Sequence, residues 1–234
     1  MVKGVMLARL CRAVRFCLVA LGGLFVGGQA AAQTQQFSAD IVMQANAAAT
    51  PAGRLRVLDG KVRIETPEFA DGFFLIDTAK PSANFVRPGA RIYMDARQSS
   101  RLTRLFVPVN PDAPCGQWQA MARLAGLVEQ RSWACERTGE ETIDGRMTDV
   151  FRAVSGSGQQ YSGWIDRERR FPLRIEIDDG TILTLAHVRD ESQPAASFEI
   201  PPSLRKFSPE VLIERIKQSD VWVAGVGDRD SSRP

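Results

Sequence analysis

The sequence predicts an all-β protein with a few helices, in which a curved antiparallel sheet forms a half-open barrel. Apolar residues recur at every second position from Phe37 onward, as in half-buried strands. The runs are short and end at Gly, Pro, Asn or Asp, which are turn residues. Strands and helices do not alternate, and this argues against a parallel sheet. A strongly curved sheet or open barrel of short strands therefore fits the pattern best.

The first 32 residues have the three parts of a cleaved signal peptide. Four basic residues precede a short apolar run at 16–26, and an alanine-rich stretch follows at 30–32. A membrane anchor is the alternative, but spanning a bilayer takes about 20 apolar residues. We expect cleavage before Gln33, export to the periplasm and no stable membrane insertion. The predicted organisation is a signal peptide (1–32), a β domain (33–207) and a C-terminal amphipathic helix with a tail (208–234).

The charge balance argues against nucleic acid as a partner. The formal net charge is +3, with 30 basic and 27 acidic residues. Four of the basic residues lie in the predicted signal peptide, so the mature chain has no excess of positive charge. A basic footprint for nucleic acid is therefore not expected.

Two cysteines, Cys115 and Cys135, remain after the predicted cleavage. An oxidising compartment and an even count favour a disulfide over two independent buried thiols. Two cysteines with a single histidine do not supply a four-ligand zinc site. We expect a disulfide, no metal and no cofactor.

The first half of the chain predicts six strands in series. The first strand contains Phe37, and the next two flank Asp59-Gly60, a dipeptide that favours a type I′ hairpin. Three more candidates end at proline or glycine turns. They are 72–78, 82–87 and 90–95.

The second half predicts a loop and one short helix over 98–126, followed by five strands. Trp118, Met121, Ala122 and Ala125 are spaced as one helical stripe. The strands are expected at 132–141, 148–155, 160–166, 173–178 and 181–190, with hairpin turns at 144–145 and 179–180.

A C-terminal helix is predicted to begin at Ser208-Pro209-Glu210, which combines a hydroxyl cap, an N-terminal proline and an early acid. Leu212, Ile213 and Ile216 form an apolar stripe. Such stripes usually face the core, so packing across the barrel is the expected role, and docking onto a partner is the alternative.

Short motifs in the chain resemble one superfamily by their order and spacing. They are 60–65 (GKVRIE), 133–136 (WACE), 139–146 (GEETIDGR), 164–166 (WID), 171–174 (FPLR) and 198–201 (FEIP). This order is similar to the LolA/LolB-like superfamily of outer-membrane lipoprotein carriers, and within it to a branch of small exported proteins of unknown function. The resemblance covers residues 37 to about 207.

The resemblance implies a half-open barrel around an apolar cavity that takes acyl chains. In the carriers, helices form a lid that an inward arginine holds shut. Here Arg63 alternates with Val62 and Ile64, so we expect it to point away from their face. Alternation assigns a set of residues to the cavity face. They are Phe37, Ile41, Met43, Leu55, Val57, Val62, Ile64, Leu75, Ile92, Met94, Leu183, Leu185 and His187.

These observations favour binding over catalysis. The only histidine, His187, follows Leu183 and Leu185 at period 2 and is read as a core side chain or a polar contact for a ligand head group. No nucleophile with its base and no carboxylate pair stands out. We expect a periplasmic carrier or binder of lipid or lipoprotein acyl chains. The alternative is a sensor or adaptor in envelope biogenesis that binds a protein through the sheet or the C-terminal helix.

Overall fold

A computed structural model describes residues 35–218, apart from residues 47, 97–99 and 129. The predicted signal peptide at 1–32 and the polar tail at 225–234 lie outside the described residues. Within the described part of the chain, no helix is both long and apolar enough to cross a membrane.

The described residues form one curved, unclosed sheet of twelve strands. Its strands are β1 (Gln36–Ala45), β2 (Ala48–Leu58), β3 (Lys61–Glu65), β4 (Phe73–Asp77), β5 (Ser82–Arg87), β6 (Ile92–Asp95), β7 (Ala134–Ile143), β8 (Arg146–Val154), β9 (Gln160–Asp166), β10 (Phe171–Ile177), β11 (Ile182–Arg189) and β12 (Arg205–Lys206). The spatial order is β12-β6-β5-β4-β3-β2-β1-β11-β10-β9-β8-β7. Two meanders, β1 to β6 and β7 to β11, are thus joined where β1 pairs with β11. The predicted antiparallel curved sheet is confirmed.

Three α-helices accompany the sheet in the described residues. They are α1 (Leu102–Leu105), α2 (Pro114–Leu124) and α3 (Pro209–Lys217). Sequence periodicity predicted α2 and α3, whereas α1 fell within the predicted loop.

Local turn chemistry explains two of the predicted hairpins. Asp59 and Gly60 have φ of 44° and 84°, and Asp144 and Gly145 have φ of 47° and 76°. Two consecutive positive φ values define the type I′ turn, whose twist matches that of the flanking strands. The turn before β11 differs, because only Gly180 there has a positive φ, of 81°. It is instead a four-residue connection, 178–181, in which the Gly180 N–H donates to the Ile177 carbonyl at 2.9 Å.

The two faces of the sheet carry separate apolar clusters. The larger cluster lies on the concave face and includes side chains from β1 to β11. The smaller lies on the convex face, where Phe198 packs with Phe73, Leu75 and Val86. The chain after β11 thus crosses the outside of the sheet before it adds β12, the one parallel strand in the described sheet. This crossing buries the Phe198 of the predicted family motif.

Candidate ligand site on the concave face

The floor of the candidate site is the apolar concave face. Alternate residues of four neighbouring strands point to this side and are fully or almost fully buried. Of the predicted cavity residues they are Phe37, Ile41, Leu55, Val57, Val62, Ile64, Leu183 and Leu185. Ile92 and Met94 are partly buried, and Met94 packs against the same cluster. Met43 lies near the end of β1 and is 38% exposed.

The floor is covered by the segment 102–127, which contains α1 and α2 and which we call the cover. Its buried side chains Phe106, Trp118 and Met121 belong to the same cluster as the floor. The Trp118 indole N–H donates to the Leu105 carbonyl at 3.0 Å and thereby joins α2 to α1. The concave face is therefore a packed core along much of its length.

The cover is attached to the β7–β10 side of the sheet. Cys115 and Cys135 form the predicted disulfide, which ties the first turn of α2 to β7. The backbone N–H of Val109 donates to the Arg170 carbonyl at 2.9 Å. A side-chain link between Asp112 and Arg167, at 3.0 Å, closes the same side.

Arg167 extends this attachment to Asp149, a carboxylate that is 6% exposed. Arg167 Nη2 and Arg137 Nη2 both lie 2.6 Å from Asp149. Burial raises the pKa of Asp149, but hydrogen bonds and charge from the two arginines outweigh it, so its pKa lies below the usual 3.8. Asp149 is therefore held ionised and joins β7, β8 and the turn after β9.

A cavity of about 220 Å³ lies at the other side of the cover. Its walls are β5, β6, α1 and α2. The apolar lining comes from Ala83, Ala96, Met121, Leu124 and Ala125, and polar groups of Ser82, Asp95, Thr103 and Arg104 also line it. This is where the floor and the cover leave space between them.

A more open depression of about 610 Å³ lies near the β7–β8 turn, and most of the residues that line it are charged. Its lining includes Glu140, Arg146, Met147, Asp149, Asp166, Arg167 and Glu168. Both buried carboxylates there have arginine partners, since Asp166 pairs with Arg169 at 2.8 Å. These ion pairs compensate for the burial of the two carboxylates. No group of three or more potential metal ligands is found in the described residues.

The assignment of Leu75 to the concave face is wrong. Leu75 packs with Phe73 in the convex cluster, and its neighbours Phe74 and Ile76 face the main core. β4 is apolar on both faces because the chain around Phe198 covers its outer side. In a strand that is apolar on both faces, alternation does not indicate which residues face the concave side.

The assignment of His187 to the interior is also wrong. The β1–β11 register pairs Ser38 with Arg189 and Asp40 with Ala186, which leaves one extra residue in β11. His187 occupies this bulge with φ of 52°, and its side chain is 76% exposed. Its Nδ1 lies 3.1 Å from Asp40 on the convex face. The bulge reverses the alternation, so Val188 packs against the core instead.

Arg63 lies on the convex face, as its alternation predicts. Its guanidinium stands 3.5 Å above the centre of the Phe73 ring and donates to the Ser197 carbonyl at 3.1 Å. Arg63 thus attaches the segment after β11 to β3 and is not part of the cover.

Comparison with known proteins finds similarity in structure only. No protein family profile and no curated protein sequence matches the chain. An uncharacterized conserved protein from Thermus thermophilus gives a TM-score of 0.43 at 10% identity, over 74% of this chain and 89% of that one. A chain of the Pseudomonas aeruginosa MucA/MucB complex gives 0.34 at 12% identity, over 74% of this chain and 57% of that one. An outer membrane lipoprotein-sorting protein domain from Vibrio parahaemolyticus gives 0.32 at 10% identity, over 70% and 89%.

Proposed function

We propose that the protein is an exported, periplasmic carrier or binding protein, and not an enzyme, that holds an acyl chain of a lipid or lipoprotein beneath the cover. The observation that carries this proposal is the cavity between the cover and β5–β6. Its helix side presents Met121, Leu124 and Ala125, and its sheet side presents Ala83 and Ala96 beside Ser82 and Asp95.

The size of the cavity indicates how such a ligand enters. At about 220 Å³ it is smaller than the roughly 300–1,000 Å³ typical of ligand pockets. A long chain therefore has to displace part of the cover. The C-terminal end of α2, with Leu124 and Ala125, borders the cavity and lies ten residues beyond the disulfide-bonded turn. We expect this end to move while the Cys115 end stays attached.

Burial of the methylenes of the ligand supplies free energy for such a displacement. Each methylene removed from water contributes about 0.8 kcal/mol, so a dozen would contribute about 10 kcal/mol before ordering costs. Separating α2 from the floor and ordering the acyl chain each cost part of this free energy. Saturable binding requires that these costs stay below the free energy of burial, and the titration below tests this.

The test places a larger side chain in the cavity. In protein recovered from the periplasm and stripped of lipid, a fluorescent fatty acid is titrated into the parent and into Ala96→Leu. Ala96 lines the cavity at 4% exposure, so the leucine occupies the space a ligand would enter. We expect binding to weaken about tenfold or more, which corresponds to about 1.4 kcal/mol. Ile64→Asp and Leu185→Asp are unsuitable, because both residues are fully buried in the packed core and a charge there would unfold the protein.

The matched control is Ala49→Leu, the same change at an exposed position of β2. It should bind the fatty acid as the parent does. A parent that binds no fatty acid contradicts the proposed function. Equal binding by Ala96→Leu and the parent contradicts the site.

A protein-binding adaptor is the second candidate, and the edge of β7 favours it. β7 is ten residues long, ends the sheet and pairs only with β8 among the described residues. Such an edge can accept an added strand from a partner. Crosslinking from residues of β7 tests this candidate. Recovery of one specific envelope protein, together with no fatty-acid binding by the parent protein, would favour it.

A further inference from the structure

The apolar side chains of α3 do not pack into the core. Val211, Leu212 and Ile213 are 51%, 45% and 51% exposed. The expectation that this helix packs across the barrel is therefore wrong. The other large apolar side chains exposed in the described residues stand singly in the sequence. They are Met43, Phe69, Val128 and Met147.

Basic residues flank the apolar side of α3. At about 100° per residue, Leu212 and Ile213 share one side of the helix, Arg215 lies beside Leu212 and Lys217 lies beside Ile213. Glu214 projects from the opposite side and pairs with Lys217 at 3.0 Å. Glu210, in the first turn, lies on the same flank as Lys217 and accepts from the Ser208 hydroxyl at 2.7 Å.

The strand that precedes α3 adds further positive charge. β12 consists of Arg205 and Lys206, both exposed, and it ends three residues before the helix begins. The Arg205 N–H donates to the carbonyl of Arg91, whose side chain is also exposed, at 3.2 Å. Lys206 pairs with Asp95 at 3.0 Å. Residues 205–217 thus carry four basic and two acidic residues around the apolar side chains.

We propose that α3 and β12 form an interfacial anchor that seats the protein on an anionic lipid bilayer. An interfacial helix needs apolar side chains that reach the acyl boundary and basic residues beside them that meet the lipid phosphates. Long basic side chains at the flanks can keep their charge at the headgroup level while their methylenes contact the apolar region. When Arg91 and Asp95, which contact β12, are counted with 205–217, five basic residues stand against three acidic ones, and this excess complements an anionic surface. This surface does not use the cavity, so the anchor stands independently of the proposed ligand.

The test measures co-sedimentation of the periplasmic protein with vesicles. One set contains phosphatidylglycerol and phosphatidylcholine in equal parts, and the other contains phosphatidylcholine alone. We expect binding to the anionic vesicles, weaker binding as salt rises, and little binding to the neutral ones. The double variant Leu212→Ser/Ile213→Ser should bind about tenfold more weakly or worse, and Arg205→Glu, which reverses one charge outside the helix, should also bind more weakly.

The control variant is Val128→Ser/Met147→Ser, which removes two exposed apolar side chains elsewhere on the surface. It should bind the anionic vesicles as the parent does, and thermal melting should show that all variants remain folded. A parent that stays in the supernatant overturns the proposal, as does equal binding to neutral vesicles. Self-association that disappears in the Leu212→Ser/Ile213→Ser variant, without lipid binding, overturns it in favour of a second copy of the chain.

Discussion

The indole ring of Trp118 lies directly against the backbone of Gly163, so that a Cβ at residue 163 would stand 2.7 Å from Trp118 Cη2. The missing side chain at β9 thus makes room for the largest buried side chain of the cover. Gly163→Ala should push this ring off the sheet and lower the free energy of unfolding by about 1–3 kcal/mol. Urea denaturation of the parent and the variant measures the change.

Gly116 provides the control for this substitution, because it lies in α2 and a Cβ there would meet no atom within 4 Å. Gly116→Ala should leave stability unchanged or raise it by up to about 1 kcal/mol, since alanine favours the helix. If both variants were equally stable, the close contact between Trp118 and Gly163 would be unimportant.

The disulfide between Cys115 and Cys135 should stabilise the attached end of the cover. It closes a loop with a sequence separation of 20, which is worth about 3 kcal/mol in the chain-entropy treatment. Thermal melting with and without a reductant should show a lower melting temperature for the reduced protein, and Cys115→Ala/Cys135→Ala should match it. Maleimide labelling of both thiols in denatured, unreduced periplasmic protein would contradict the bond.

Asp149→Asn should destabilise the protein in a pH-dependent way. The pKa of Asp149 is lowered in the folded state, so its stabilisation is fully present above the unfolded pKa of about 3.9 and is lost as pH falls through the lower folded value. We expect a loss of about 1–3 kcal/mol at pH 7, since its arginine partners are themselves partly exposed. The difference between parent and variant should shrink below about pH 4. Urea denaturation at both pH values measures it.

Glu168→Gln is the matched control for Asp149→Asn. Glu168 lines the same polar depression but is exposed, so its change should alter stability by less than about 0.5 kcal/mol. If both variants lost the same free energy of unfolding, the buried ion pairs of Asp149 would stabilise the fold no more than the exposed Glu168 does.

His187→Ala should leave fatty-acid binding unchanged. The imidazole is on the convex face, 76% exposed, and therefore cannot contact a ligand beneath the cover. Titration with the same fluorescent fatty acid checks this, and Ala96→Leu provides the comparison in which binding is lost. Weakened binding in His187→Ala would place the ligand on the convex face.

Most of the fold could be predicted from the sequence, because strands, tight turns and helix starts are specified by neighbouring residues. The dipeptides Asp59-Gly60 and Asp144-Gly145 specify tight hairpins by their φ preferences, and alternation places strands between them. The β12 strand escaped detection, since two residues, Arg205 and Lys206, carry no periodicity. Helix α1, with four residues, was too short to be recognised within the predicted loop.

The sequence by itself determined the strand order along the chain, the hairpins and the position of the mid-chain helix, because each depends on neighbouring residues. Only the tertiary structure decided which face each strand buries. A single extra residue in β11 turns His187 outward. The segment that contains Phe198 covers the convex side of β4, and Leu75 packs there. The tertiary structure also decided that the cover fills the concave face and that α3 stays exposed. These outcomes depend on contacts between residues far apart in the chain, and periodicity within one segment carries no information about them.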